Sequence, residues 1–283
     1  MKRLTASSIL LVAALLAASC SQSTRPTVLK YKFEPGLKLS YEQTSSSKVK
    51  VLQGDSIIRN INESVQASVT QSVVRVLDDG TAQVEEVAKW TSVSSGLKDS
   101  SVADTTPQSR KVSLYTAPNG KVVDVVFESN VDSSEAAYLR QFYVQNTIVF
   151  PDTPVTVGGS WTQKASVNVE GSQMEASTTY RVVGFARVSN YDCIQVSYDG
   201  TLIIPVLPSP TDSTKRRGVD RISVSGMLSF APDPGIVVSV KEKWNVDGDR
   251  EKVLSGKTVK SKVNADMDMI YALRERTSGQ NGQ

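Results

Sequence analysis

Histidine is absent from all 283 residues. Imidazole is therefore excluded as a general base, as a triad member and as a metal ligand. Cysteine is nearly absent: only Cys20 and Cys193 occur. Zinc and copper sites built on imidazole or clustered thiolates are excluded with it. No G-x-S-x-G elbow, P-loop or dinucleotide glycine fingerprint occurs, so the familiar signatures of serine hydrolases, NTPases and nicotinamide enzymes are missing. An excess of one charge is missing too. The chain has 32 basic and 29 acidic residues, and residues 1–19 hold two of the basic and none of the acidic ones, so the remainder is near +1. That balance leaves no electrostatic footprint for nucleic acid. Enzyme chemistry would have to rest on carboxylates, lysine, tyrosine or Ser–Lys pairs. Glu85 and Glu86 are adjacent on an expected strand and point to opposite faces. Asp266 and Asp268 share a face opposite Ala265, Met267 and Met269 and read as solvated. No catalysis, cofactor or metal is expected.

Against these absences the first twenty residues stand out. Lys2 and Arg3 precede an apolar run, Ile9–Ala18, which is the length of a signal h-region and too short to span a bilayer. Ala17, Ala18 and Ser19 lead directly to Cys20. This segment resembles the lipobox of bacterial lipoproteins, with Ala17 where leucine is commonest. The resemblance implies thiol diacylation of Cys20 with palmitate-type chains, cleavage before it, and acylation of the new amino terminus. Residues 1–19 then form a signal peptide and 20–27 a lipidated tether reaching roughly 20–25 Å. The implied location is the bacterial cell envelope, lipid-anchored. Ser21 rather than aspartate after the cysteine resembles outer-membrane sorting. With Cys20 acylated, no internal disulfide can form. Cys193, in the alternating stretch YDCIQVSY, reads as a small buried hydrophobe.

From residue 28 to 272 the pattern is strand after strand. Val263, Ala265, Met267 and Met269 share one face of a period-two pattern; so do Ile236, Val238, Val240, Trp244 and Val246, and Ile222, Val224, Leu228 and Phe230. One buried and one wet face is the signature of antiparallel sheet. Asp79-Gly80, Asn119-Gly120, Asp199-Gly200 and Asp247-Gly248 are expected as tight turns, with Gly54-Asp55 a further candidate. NVDGDRE at 245–251 has some calcium-loop character but is too short for one and reads as an Asp-Gly turn. Long strands are expected at Leu37–Gln53, Ser56–Leu77, Thr81–Gly96 and Leu254–Ala272. The apolar phase slips at Val73-Val74, which predicts a bulge. Polar loops are expected at Asp99–Ser109 and Pro205–Gly218, the latter carrying Lys215-Arg216-Arg217, and a flexible tail at 273–283. The fold class is mainly β: a long curved antiparallel sheet, half-barrel or open barrel, with one central short helix. Residues 28–130 and 155–272 look alike in outline, as two meanders or pseudo-repeats.

The helix is expected at Asp132–Asn146, with Asp132 as N-cap and Glu135 completing a capping box. Ala136, Leu139, Phe142 and Tyr143 form its apolar stripe. It either plugs the sheet core or acts as a lid over an apolar cavity. In the second case Leu139, Phe142, Tyr143, Ile148 and Phe150 would line a site for an acyl chain or another hydrophobic ligand.

Two motifs carry a wider resemblance. Tyr31, Phe33, Gly36, Leu39 and Tyr41 match Y-x-F-x-x-G-x-x-L-x-Y, and Pro151 to Trp161 match P-D-x-P-V-x-V-G-x-S-W. The region resembles lipoproteins of Bacteroidetes-like bacteria, a group that brings no known activity. More loosely, long strands with a central helix resemble the half-barrel fold of periplasmic lipoprotein carriers. The expectation is a non-enzymatic, membrane-anchored envelope protein that binds a hydrophobic ligand or an envelope partner. The alternative is a structural or assembly lipoprotein with a filled core. A carboxylate-dependent hydrolase ranks last.

Overall fold

The computed structural model describes residues 26–96, 107–127, 131, 133–169, 172–206, 217–254 and 257–279. The strands are β1 (Lys38–Gln53), β2 (Ser56–Val76), β3 (Ala82–Gly96), β4 (Gln108–Thr116), β5 (Val122–Phe127), β6 (Ser160–Val169), β7 (Ser172–Val188), β8 (Tyr191–Val206), β9 (Arg217–Ala231), β10 (Ile236–Leu254) and β11 (Lys257–Thr277). Among the described residues one helix, α1 (Ser133–Asn146), lies between β5 and β6. All eleven strands join one antiparallel sheet in the order β5-β4-β3-β2-β1-β11-β10-β9-β8-β7-β6. Two meanders are fused by the pairing of β1 with β11, the first and last strands. The sheet is curved and open, as the alternation implies, and its two edges are β5 and β6. The helix therefore carries the chain from one edge to the other.

Side chains follow the expected parity. On β11, Val263 is buried and Ala265, Met267 and Met269 are half-buried, while Asn264, Asp266 and Asp268 are exposed. Cys193 is buried, as expected, in a cluster with Ala231, Ile236 and Val238. The phase slip also has its counterpart: Val73 faces Val84 but Arg75 faces Gln83, so Val74 is the bulged residue. Strand β11 runs to Thr277, into the stretch expected as tail.

Three of the expected turns form. Leu77 N–H donates to Thr81 O across Asp79-Gly80, Ala117 N–H to Lys121 O across Asn119-Gly120, and Gly54-Asp55 joins β1 to β2. Two do not. Asp199-Gly200 lies inside β8 and Asp247-Gly248 inside β10. Glycine serves there for close approach rather than for turning. A Cβ at Gly200 would stand 2.4 Å from Thr178 Oγ1, and one at Gly248 would stand 2.3 Å from Asp220 Oδ1. The acids around Gly248 are engaged by arginine, Asp220 with Arg250 at 2.7 Å and Asp249 with Arg221 at 3.6 Å, so neither a calcium loop nor a turn forms. The chain turns instead at Ser189-Asn190, both with positive φ, and at Pro232–Gly235. Of the expected loops, residues 99–106 and 207–216, Lys215 and Arg216 included, lie outside the described residues, while Gln108 and Ser109 already belong to β4, Pro205 and Val206 to β8, and Arg217 and Gly218 to β9. Arg217 opens β9 and pairs with Glu251 at 2.6 Å.

One end of the sheet is closed by chain rather than by strands. The segment before β1 crosses this end: Thr27 bridges Val155, Tyr31 N–H donates to Pro118 O, Lys32 N–H to Gly235 O, and Gly36 N–H to Val73 O. Leu29 and Tyr31 thereby reach the main core, where Tyr31, Phe150, Phe230, Trp161 and Tyr180 form a chain of ring contacts 4.6–6.4 Å apart. Every described element and core cluster falls within residues 27–277, so the chain from Ser21 onward holds this whole fold.

Candidate functional site

The helix is fastened from several directions. Arg140 Nη2 donates to Val125 O of β5 at 3.1 Å. Gln145 both donates to Ile203 O at 2.9 Å and accepts from Ile203 N–H at 3.0 Å, on β8. Tyr143 Oη donates to Glu86 of β3 at 3.0 Å, and the Phe142 ring lies 6.0 Å from Trp244 of β10. Helix α1 thus crosses the concave side and touches both halves of the sheet. Asp132, the expected N-cap, lies outside the described residues. At the other end Thr147 Oγ1 donates to Tyr143 O at 2.6 Å, capping the last turn. The extension that follows is pinned to β6 by Trp161 Nε1 to Val149 O at 2.9 Å and Gln163 Nε2 to Thr147 O at 3.0 Å.

Between α1 and the sheet lies a cavity of about 580 Å³, within the range of small-molecule sites. Its walls are the concave residues of the fused strands: Leu39 and Tyr41 of β1, Val69 and Val73 of β2, Val84 and Ala88 of β3, Val240 and Trp244 of β10, and Met267, Met269 and Tyr271 of β11. Phe142, Tyr143 and Ile148 cover it. The two methionines supply an adaptable apolar surface, and Tyr41 stacks on Tyr271 at 4.3 Å.

Three of the five expected site residues therefore meet at the cavity. Leu139 is buried one turn earlier on the same stripe and does not line it. Phe150 is also not a lining residue: its N–H donates to Asn119 O, which draws the ring into the aromatic core at the closed end. Cys20 lies outside the described residues.

Polar groups inside the cavity were not foreseeable from the pattern. Glu86 accepts from Tyr143 and from Gln71 Nε2 at 2.9 Å. Glu242 accepts from Tyr198 Oη and from Trp244 Nε1 at 2.8 Å. Burial pushes the Glu242 carboxyl above its ordinary value of 4.5, and the hydrogen bonds from Tyr198 and Trp244 pull part of the way back. Burial also raises the Tyr41, Tyr143, Tyr198 and Tyr271 phenols, which stay protonated and act as donors or packing surfaces. Because the folded Glu242 value lies above the unfolded one, the folded chain holds an extra proton between the two. The contribution is present below the unfolded value and is lost as pH rises through the folded one. Urea midpoints are thus expected to fall between about pH 4.5 and the raised value, and Glu242→Gln to flatten that slope. An unchanged slope in the variant would contradict the assignment.

Other acid pairs make no site. Glu85 faces away from Glu86 and pairs with Lys111 at 2.9 Å, and Asp266 and Asp268 are exposed. Among the described residues no group of three or more His, Cys, Asp or Glu could hold a metal, and no helix is long and apolar enough to cross a membrane.

No family model and no curated protein matches the chain. Among solved structures it is similar to lipovitellin, in a structure describing lipid–protein interactions, at TM-score 0.48 and 11% identity over 89% of this chain. The match spans only about a quarter of the lipovitellin chain, 26%. An outer membrane channel from Pseudomonas putida F1 matches at TM-score 0.30 and 9% identity, over 86% of this chain and 97% of that one. The secretin-domain β-barrel of InvG from the Salmonella SPI-1 injectisome matches at TM-score 0.15 and 12% identity, over 99% and 70%. At these scores none of the three assigns an activity.

Proposed function

We propose that this chain is a lipid-anchored protein of the bacterial cell envelope that holds a hydrophobic ligand between α1 and the concave sheet, without catalysis. One observation carries the ligand reading: α1 stands off the sheet over a cavity of about 580 Å³ with largely aliphatic and aromatic walls. A stripe that only plugged the core would pack flush, since protein interiors leave few voids larger than a water molecule. The filled aromatic end serves as the floor of the site. Anchoring rests on the lipobox-like Ala17-Ala18-Ser19-Cys20, and the short tether keeps the cavity close to the membrane.

Two experiments test the two parts. The neutral fluorophore N-phenylnaphthylamine, titrated into the chain produced from Ser21 onward, is expected to brighten and saturate at one probe per chain; the absence of saturable uptake contradicts the ligand reading. For the anchor, cells fed an alkynyl fatty acid are expected to label the full-length protein, and Cys20→Ala to lose the label entirely. Label that persists in Cys20→Ala contradicts lipidation at that residue.

A further inference from the structure

The polar atoms facing the cavity are unbalanced. The lining residues include two carboxylates, Glu86 and Glu242, and one cation, Lys32. The Lys32 ammonium is turned to the rim, where it donates to Asp233 O at 2.6 Å. Four of the lining donors are already engaged: Tyr41 Oη on Val237 O at 3.1 Å, Tyr143 Oη on Glu86, Trp244 Nε1 on Glu242, and an amide proton of Gln71 on Glu86. An anionic head at the depth of Glu86 meets like charge, while the one lining cation, Lys32, is held at the rim. That is the costly way to bury a charge.

The same wall suits a donor. Each Glu86 oxygen accepts one hydrogen bond, from Tyr143 or from Gln71, and a carboxylate oxygen has capacity for a second. Glu242 is more deeply buried, with both oxygens held by Tyr198 and Trp244. Glu86 is therefore the accessible acceptor, and Ala88, Met267, Met269 and Val240 are among the apolar residues of the same cavity wall. Building on the reading that the cavity is the ligand site, we infer that its ligand is a single-chain aliphatic amine, with the ammonium on Glu86 and the chain along the methionines. The fatty-acid anion of equal length is rejected.

The test is displacement of bound N-phenylnaphthylamine at neutral pH by dodecylamine, dodecanol and dodecanoate, each below its micelle concentration. Dodecylamine is expected to displace the probe at a concentration about tenfold or more below dodecanoate, a difference of about 1.4 kcal/mol, with dodecanol between them. In Glu86→Gln the amine and the alcohol are expected to become equivalent. The ratio is taken within one protein, so a general loss of affinity cancels; if Glu86→Gln does not fold, the wild-type order still decides. Dodecanoate displacing as well as the amine, or an amine preference that survives Glu86→Gln, overturns this inference and leaves the cavity reading standing. No saturable probe binding overturns both.

Discussion

Replacing Ala88 by tryptophan is expected to abolish probe uptake and leave the fold standing. Ala88 sits in the middle of β3, opposite Val69 of β2 and Arg110 of β4, with its side chain on the cavity wall. An indole built there projects into the cavity that Phe142 and Tyr143 cover. Adding bulk to a well-packed core costs about 1–3 kcal/mol because neighbours must move. Here the void accepts it, so the urea midpoint is expected to hold or rise. Uptake is expected to fall by more than about tenfold, since the indole takes the volume that the probe needs. Full uptake by Ala88→Trp places the probe somewhere else on the molecule.

Phe150→Ala is expected to be the most damaging single truncation. The ring is 2% exposed and contacts Tyr31, Trp161 and Phe230, with centroids 5.5, 6.4 and 4.6 Å away. These belong to three separate segments: the crossing before β1, the start of β6, and β9. Truncation removes the piece that holds them together and leaves a cavity, at a cost of about 3–5 kcal/mol. Against a total stability of roughly 5–15 kcal/mol that loss is large. Phe142→Ala provides the contrast. Phe142 is half-buried on the cavity roof, so its loss is expected to weaken probe uptake more than stability. Urea unfolding separates the two. Equal costs at both positions would mean that Phe150 is not the core residue described.

The two phenylalanines also mark where sequence stops being informative. Both sit in apolar stretches around one helix, and local pattern treats them alike. What separates them is the hydrogen bond from Phe150 N–H to Asn119 O, a partner about thirty residues away that periodicity does not encode. Strand parity was legible because it is local: Met267 and Met269 on one face with Asp266 and Asp268 on the other needs only a period of two. The bulge at Val74 was legible as a phase slip for the same reason. The pairing of β1 with β11 was not, since no local feature brings the ends of the chain together. Asp199-Gly200 and Asp247-Gly248 misled because glycine serves both positive φ and close backbone approach, and the dipeptide does not say which. Glu242 and Gln145 were missed because polar residues read as surface, and Glu86 was weighed only as a catalytic partner of Glu85. Gln145 is only 4% exposed, yet both ends of its amide are satisfied by the Ile203 backbone. A buried amide paired in this way can be recognised only once the sheet is in place.

On this reading the space beneath α1 is occupied in the cell, and native mass spectrometry of the full-length protein, gently extracted from its own membranes, reads that occupancy. The expected result is a mass above that of the polypeptide with its anchor by one small amphiphile, released on denaturation and missing from Ala88→Trp. Wild type and Ala88→Trp both emerging as polypeptide and anchor alone would contradict it.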